Sequence, residues 1–271
     1  ADERAVPLTN YLSWRDHRLL ETYPGGQTSY HEVLCERLGD ETLAQLGHEC
    51  KLGSSPGLLF WLKEKGELPP GSVPLMLGDF VGMHLAGAEP VTEYTNALGA
   101  MNLETRRWHD QAFRTLGIDH LCWPRLCDPF TPVGRLSLGG AQVPWYPCVG
   151  DHQCALAGTL LAENELSINA STGSQVSILR ADYRPGDYQV RPYFDQQYLN
   201  TLTHLPAGRS LNAMVDLLAE LARSQGLVLE DPWPYILSEV QKTDTDLGVE
   251  LTFFPGPMGE RGQIHNISLE N

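Results

Sequence analysis

The chain is short of positive charge: 19 Lys and Arg stand against 34 Asp and Glu, a formal charge of −15. A sequence-independent grip on nucleic-acid phosphates is therefore excluded, because the phosphates would be repelled. The acidity leaves open a phosphorylated ligand held locally by backbone N–H groups. No apolar run approaches the ~20 residues a membrane helix needs, and nothing near residue 1 reads as a signal peptide. The six cysteines (Cys35, Cys50, Cys122, Cys127, Cys148 and Cys154) form no C-x-x-C pair. They are too sparse for a disulfide scaffold, and reduced thiols in a cytoplasmic protein are expected. Internal repeats and low-complexity stretches are also missing. What is present is a 42% hydrophobic fraction with 20% charged residues over 271 positions. That is enough for a packed core in one large domain or two modest ones.

The pattern alternates strands and helices. Residues 8–14 read as a short strand, and Val33, Leu34, Leu38, Leu43 and Leu46 give helical spacing over 30–47, with a break expected at Gly39-Asp40. Ser54-Ser55-Pro56 opens a helix, with serine as cap and proline in its first turn. Residues 73–86 run from an apolar strand-like segment into a helix, and 106–116 form another short helix. Pro- and Gly-rich 124–140 reads as irregular. Residues 142–149 read as a buried strand ending at Gly150-Asp151, followed by a helix to about Leu161. Strands are expected over 166–170, 174–180 and 188–199, and helices over 208–225 and 232–241. The order is that of an α/β chain with a seam near residue 162.

Three segments carry chemistry. In Cys148-Val149-Gly150-Asp151-His152-Gln153-Cys154, a carboxylate follows an apolar strand and opens a helix, where α/β proteins place reactive groups. Asp151 could equally be a simple helix cap. A metal site from Cys148, Asp151, His152 and Cys154 is disfavoured, because helical geometry spreads His152 and Cys154 to different faces. In Asn169-Ala170-Ser171-Thr172-Gly173-Ser174-Gln175, small hydroxyl residues and a glycine between two strands suit a turn that cradles a phosphate, or an ordinary hairpin turn. Trp14-Arg15-Asp16-His17-Arg18 places an aromatic face beside polar groups, the combination that sugar sites use, or else a core Trp beside a solvated ion pair.

In order along the chain, these segments and others resemble the FGGY carbohydrate kinase family. The resemblance runs through Trp14-x-Asp16-x-Arg18, Gly53-x-x-Pro56, Trp61-Leu62-Lys63, Leu77-Gly78-Asp79-Phe80-Val81, Thr92 with Asn96-Ala97, Trp108 and Gly134-x-Leu136. It continues through Gly150-Asp151-x-Gln153-x-Ala155, Ser171-Thr172-Gly173 and Gly259-Glu260-Arg261. It implies parts of two domains of the actin-like ATPase (ribonuclease H-like) fold. Residues 1–161 would be the latter part of the sugar-binding domain, and 162–271 the first part of the ATP-binding domain. It further implies Asp151 as general base, Trp14, Asp16 and His152 as sugar contacts, and Thr172 and Gly173 in a phosphate-binding turn. ATP and Mg²⁺ would be the cofactors, and a small-molecule sugar the other partner. His152 stands where many members have Gln, and Ser171 where many have Gly.

A glycoside hydrolase would need a second carboxylate at a set distance from Asp151, and the sequence singles out none. A non-catalytic sugar-binding relative of the kinases is the other rival. The Asp-x-Gly-Thr-type loop that opens such kinases and their Gly-rich adenine segment are not in these 271 residues, so the resemblance is to an internal portion. Positioning supplies most of the catalysis in phosphoryl transfer. The 271 residues by themselves are accordingly expected to release no ADP in a coupled assay with sedoheptulose, xylulose, ribulose or glycerol. Sugar-dependent ADP release, abolished by Asp151→Asn, would overturn that expectation.

Overall fold

Serine caps, prolines and glycines set the first helices. In the computed structural model, which describes residues 1–228, 230–252 and 262–268, α1 spans Tyr30–Gln45 and opens on a reciprocal capping box between Ser29 and Glu32. Gly39, at φ 73°, interrupts α1 where the sequence places the break. α2 (Ser55–Glu64) starts with the Ser54 side chain accepting the Gly57 N–H and with Pro56 in its first turn. α3 covers Leu77–Ala86, β1 Val91–Glu93, β2 Met101–Asn102, β3 Arg107–Trp108, α4 Asp110–Leu116 and β4 Arg125–Cys127. Then come β5 (Gly134–Leu138), β6 (Ala141–Trp145) and α5 (Asp151–Gly158). Leu34 and Leu38 from α1, Phe60 and Leu62 from α2, and Phe113 and Leu116 from α4 share one apolar core. Trp123 stacks on Phe113 at 3.9 Å between ring centroids. β1 and β4 pair in parallel with Glu93 opposite Cys127, and every residue of β1 is buried.

β7 (Leu166–Ala170), β8 (Gly173–Arg180), β9 (Gln189–Pro192) and β10 (Tyr198–Pro206) make a sheet in the order β7-β8-β10-β9. α6 (Gly208–Ser224), α7 (Trp233–Glu239) and the antiparallel pair β11 (Gly248–Glu250) and β12 (Gln263–His265) follow. The chain separates into two compact units, one of residues 1–167 with 177–201 and the other of 168–176 with 202–271. In the first unit, Leu156 of α5 packs with Leu179, Tyr193 and Leu199, so the helix that begins at Asp151 is seated on β8 and β10.

Several sequence expectations need correction, among them the strand-like start of 73–86, which forms no strand before α3. Residues 8–14 form no strand but run as irregular chain along a cavity. The expected buried strand over 142–149 is instead β6, the exposed arm of a hairpin that ends at Trp145. Pro147 follows, and a proline lacks the N–H that would carry the ladder onward. The expected strand over 188–199 is split into antiparallel β9 and β10, with Asp195 and Gln196 taking positive φ in the turn between them. Within the region expected to be irregular, 124–140, both β4 and β5 form. Gly259-Glu260-Arg261 lies outside the described residues.

Candidate functional site

The backbone leading to Asp151 belongs to no sheet, and buried side chains hold it instead. Asp79 on α3 accepts the Cys148 N–H through Oδ1 at 2.8 Å. The Asn96 amide donates to the Cys148 carbonyl at 2.7 Å. The Gly150 N–H donates to Thr95 Oγ1 at 2.8 Å, and the Gln153 amide reaches the Thr95 carbonyl at 3.3 Å and the Pro192 carbonyl at 3.1 Å. Thr95 in turn gives its N–H (2.8 Å) and its hydroxyl to the Glu93 carboxylate. Thr95, Glu93 and Gln153 are all buried. Gly150 is the N-cap of α5, and a Cβ there would overlap Gln153 Oε1, so glycine is what allows the clamp to close.

Burial drives the electrostatics. It pushes the Glu93 carboxyl above its usual range, against the hydrogen bonds from Thr95 and Tyr94. Burial also raises Asp79 to about 6, and its Oδ2 is buried without a hydrogen-bond partner. The Cys148 thiol is raised as well, by burial and then by the Asp79 charge. Asp79, Glu93, Thr95, Asn96 and Gln153 position backbone, and none of these five was singled out for a role by sequence reasoning. The available signal was their place inside the resembling motifs at Asp79, Asn96 and Gln153.

Asp151 is exposed at the first position of α5, and its Oδ1 accepts the His152 N–H at 2.7 Å. Both ring nitrogens of His152 are engaged. Nδ1 meets Arg191 Nη1 at 3.0 Å, and Nε2 meets Ser177 Oγ at 3.4 Å. Burial, then the Arg191 charge, lowers its pKa. The structure therefore brings Asp151 and His152 together in the first unit.

Trp14 is 63% exposed, with the Arg15 guanidinium 4.8 Å from its ring centre. It lines a cavity of about 390 Å³ together with Asn10, Tyr11, Phe80, Thr92 and Asn96. Asp16, Asp151 and His152 are not among the lining residues. Asn96 joins the two regions, since it lines the cavity and also holds the Cys148 carbonyl. Asp16 is paired with Arg18 at 2.8 Å, and the hydrogen bond from Arg18 holds its carboxyl below the usual range. The Arg18 guanidinium lies over the Trp61 ring at 4.6 Å.

Thr172 and Gly173 belong to the second unit. They form the turn from β7 to β8, whose carbonyls at Ser171 and Thr172 accept the N–H groups of Gly208 and Arg209 at 3.1 Å each. Both residues are exposed, and the space a Gly173 Cβ would occupy is open. The six cysteines are unpaired thiols. No grouping of three or more His, Cys, Asp or Glu among the described residues could hold a metal. No described helix is long and apolar enough to cross a membrane.

No protein-family model matches this chain, and no curated protein matches it in sequence. Solved structures do. A xylulose kinase from Rhodospirillum rubrum is similar with a TM-score of 0.72 at 16% identity, over 89% of this chain and 52% of that one. A xylulose kinase from Bifidobacterium adolescentis gives 0.71 at 12% identity, over 100% of this chain and 62% of that one. A glycerol kinase from Plasmodium falciparum with ADP gives 0.65 at 16% identity, over 94% and 56%. The chain has the fold of these sugar kinases, a portion of the actin-like ATPase fold, and spans 52–62% of their length.

The raised Asp79 carboxyl makes stability depend on pH. Its folded pKa of about 6 lies above its ordinary value of 3.8, so the fold holds a proton that the unfolded chain has released. The resulting stabilisation is full below the ordinary carboxylate range and is lost as pH rises through about 6. Above that, the buried carboxylate costs on the order of 3 kcal/mol. Asp79→Asn keeps an oxygen for the Cys148 N–H. It is expected to be more stable than the parent at about pH 8 and to lose most of that advantage at about pH 4. Urea unfolding of both proteins at both pH values checks this, and parallel pH profiles would remove Asp79 from the account.

Proposed function

We propose that the protein is a carbohydrate kinase that transfers the γ-phosphoryl group of ATP to a ketose hydroxyl, with Asp151 as general base. The observation that carries this reading is Asp151 itself: an exposed carboxylate at the start of α5, its approach pinned by Asp79, Thr95, Asn96 and Gln153, in a chain with the sugar-kinase fold. Phosphoryl transfer asks the protein chiefly for positioning and for one group that orients the nucleophile. A pinned backbone with one solvent-facing carboxylate meets that demand.

In this reading, residues 1–161 belong to the sugar-binding domain and 162–271 to the ATP-binding domain. Trp14, exposed and with the Arg15 guanidinium against its ring, offers aromatic surface for a sugar ring. Asp16 is committed to Arg18, and His152, the neighbour of Asp151, to Arg191 and Ser177, so any sugar contact they make is through remaining lone pairs or by packing. Thr172 and Gly173 present an exposed turn suited to phosphate oxygens. Mg²⁺ is usually bound by one or two carboxylates together with the nucleotide phosphates, so the absence of a three-ligand cluster among the described residues is compatible with it. Its role would be to neutralise charge on the transferring phosphoryl group. Within the FGGY kinases, Asn169-x-Ser171-Thr172-x-x-Gln175 and Pro192-Tyr193-Phe194 are most like sedoheptulokinase, which makes sedoheptulose the first substrate to test. Six thiols with no disulfide among them favour a reducing compartment, the cytoplasm.

In the full-length protein, Asp151→Asn is expected to preserve folding and sugar binding while lowering kcat by about 10²- to 10⁴-fold. A panel of sedoheptulose, xylulose, ribulose and glycerol in a coupled ADP assay tests this, and near-normal turnover by the Asn variant would sink the role of Asp151. Trp14→Ala is expected to weaken sugar binding by about 1–3 kcal/mol with ATP affinity unchanged. Sugar titration beside thermal melting separates this from a packing role, which would show instead as a lowered Tm with sugar affinity intact.

A further inference from the structure

We propose that Arg191, held by Glu49, is a positioning residue for Asp151 and acts through the imidazole of His152. This rests on the reading of Asp151 as general base. The chain of contacts lies within the first unit. Arg191 Nε–H donates to Glu49 Oε1 at 2.5 Å, in an ion pair whose side chains are only 13% and 7% exposed. Its Nη1–H donates to His152 Nδ1 at 3.0 Å. A guanidinium has donors and no acceptor, so Nδ1 must carry the lone pair and the ring proton must sit on Nε2. Nε2–H then points to Ser177 Oγ at 3.4 Å, and Ser177 Oγ pairs with Thr201 Oγ1 at 2.8 Å. Ser177 and Thr201 are both 2% exposed. The ring is thus gripped at both nitrogens, with one tautomer allowed.

This grip reaches the carboxylate through the backbone. His152 is the second residue of α5, and its N–H is the donor that holds Asp151 Oδ1 at 2.7 Å. Thr95 and Gln153 fix the backbone before and after this step. Arg191 fixes the ring that hangs from it. Loss of the guanidinium frees the imidazole to rotate and to change tautomer, and lets the His152 N–H and the Asp151 carboxylate drift together. Glu49 is needed because the guanidinium has a fixed fork, and the Nε–H bond to Glu49 is what aims Nη1 at the ring.

The test uses the full-length protein with sedoheptulose, or with whichever sugar of the panel it phosphorylates. Arg191→Met is expected to lower kcat by about 10- to 100-fold, the effect of a catalytic group displaced by about 1 Å, with KM for sugar and ATP within about twofold of the parent. Because the variant leaves Glu49 buried and unpaired, the double variant Glu49→Gln/Arg191→Met accompanies it and should show the same kcat defect. A long-range ¹H–¹⁵N spectrum of the imidazoles supplies a readout that a purely structural role would not move. The parent should show His152 as the Nε2–H tautomer at neutral pH, and both variants should show a mixture. A folded double variant with parental kcat, or with His152 still in a single Nε2–H form, overturns the proposal while Asp151→Asn remains inactive. Turnover retained by Asp151→Asn would instead overturn the base assignment, and the positioning role with it.

Discussion

The hydroxyl of Thr95 sits between a buried carboxylate and the N-cap of α5, and the geometry around Asp151 depends on that joint. It donates to Glu93 and accepts from Gly150 N–H, while the carbonyl of the same residue receives Gln153. A hydroxyl can do both at once because it has one donor and two acceptor sites. Without it, Gly150 N–H would be buried and unpaired, a loss of about 1–3 kcal/mol. The helix start would also lose one of its ties to the segment after β1, beside those made by the Gln153 and Asn96 amides. The ladder of a sheet usually does this work in α/β proteins. Here the β5–β6 hairpin has ended at Trp145, and side chains carry the chain to Asp151.

Such a device costs stability. Two carboxyls, Asp79 and Glu93, are held in surroundings that disfavour their charge, and one oxygen of Asp79 has no hydrogen-bond partner. Proteins tolerate local conflicts of this kind mainly where function requires a fixed geometry. Both carboxyls bear on the segment that leads to Asp151, Asp79 through Cys148 and Glu93 through Thr95 and Gly150.

The likeness to xylulose and glycerol kinases is one of fold, at 12–16% identity. Folds of this type serve more than one chemistry, so function has to be argued from the site. Here the first unit offers an exposed carboxylate and an exposed tryptophan, and the second unit an exposed small-residue turn.

Much of the architecture was legible from local signals. The Ser29 and Ser54 caps, the break at Gly39, the helix at Asp151 and the helices at 208–224 and 233–239 all follow from side chains acting within a few residues of themselves. Asp151, Trp14 and Thr172-Gly173 stood out in the sequence only as motif and spacing. Residues 8–14 and 142–149 misled, because an apolar run says that a segment is near a core and not whether it has a ladder partner. The partners of the site were not legible at all. Asp79 lies 69 residues from Cys148, Thr95 55 from Gly150, and Glu49 142 from Arg191. Hydrogen bonds across such separations leave no periodicity in the sequence, so which side chains hold Asp151 in place was decided only when the tertiary fold brought them within 3 Å of its backbone neighbours.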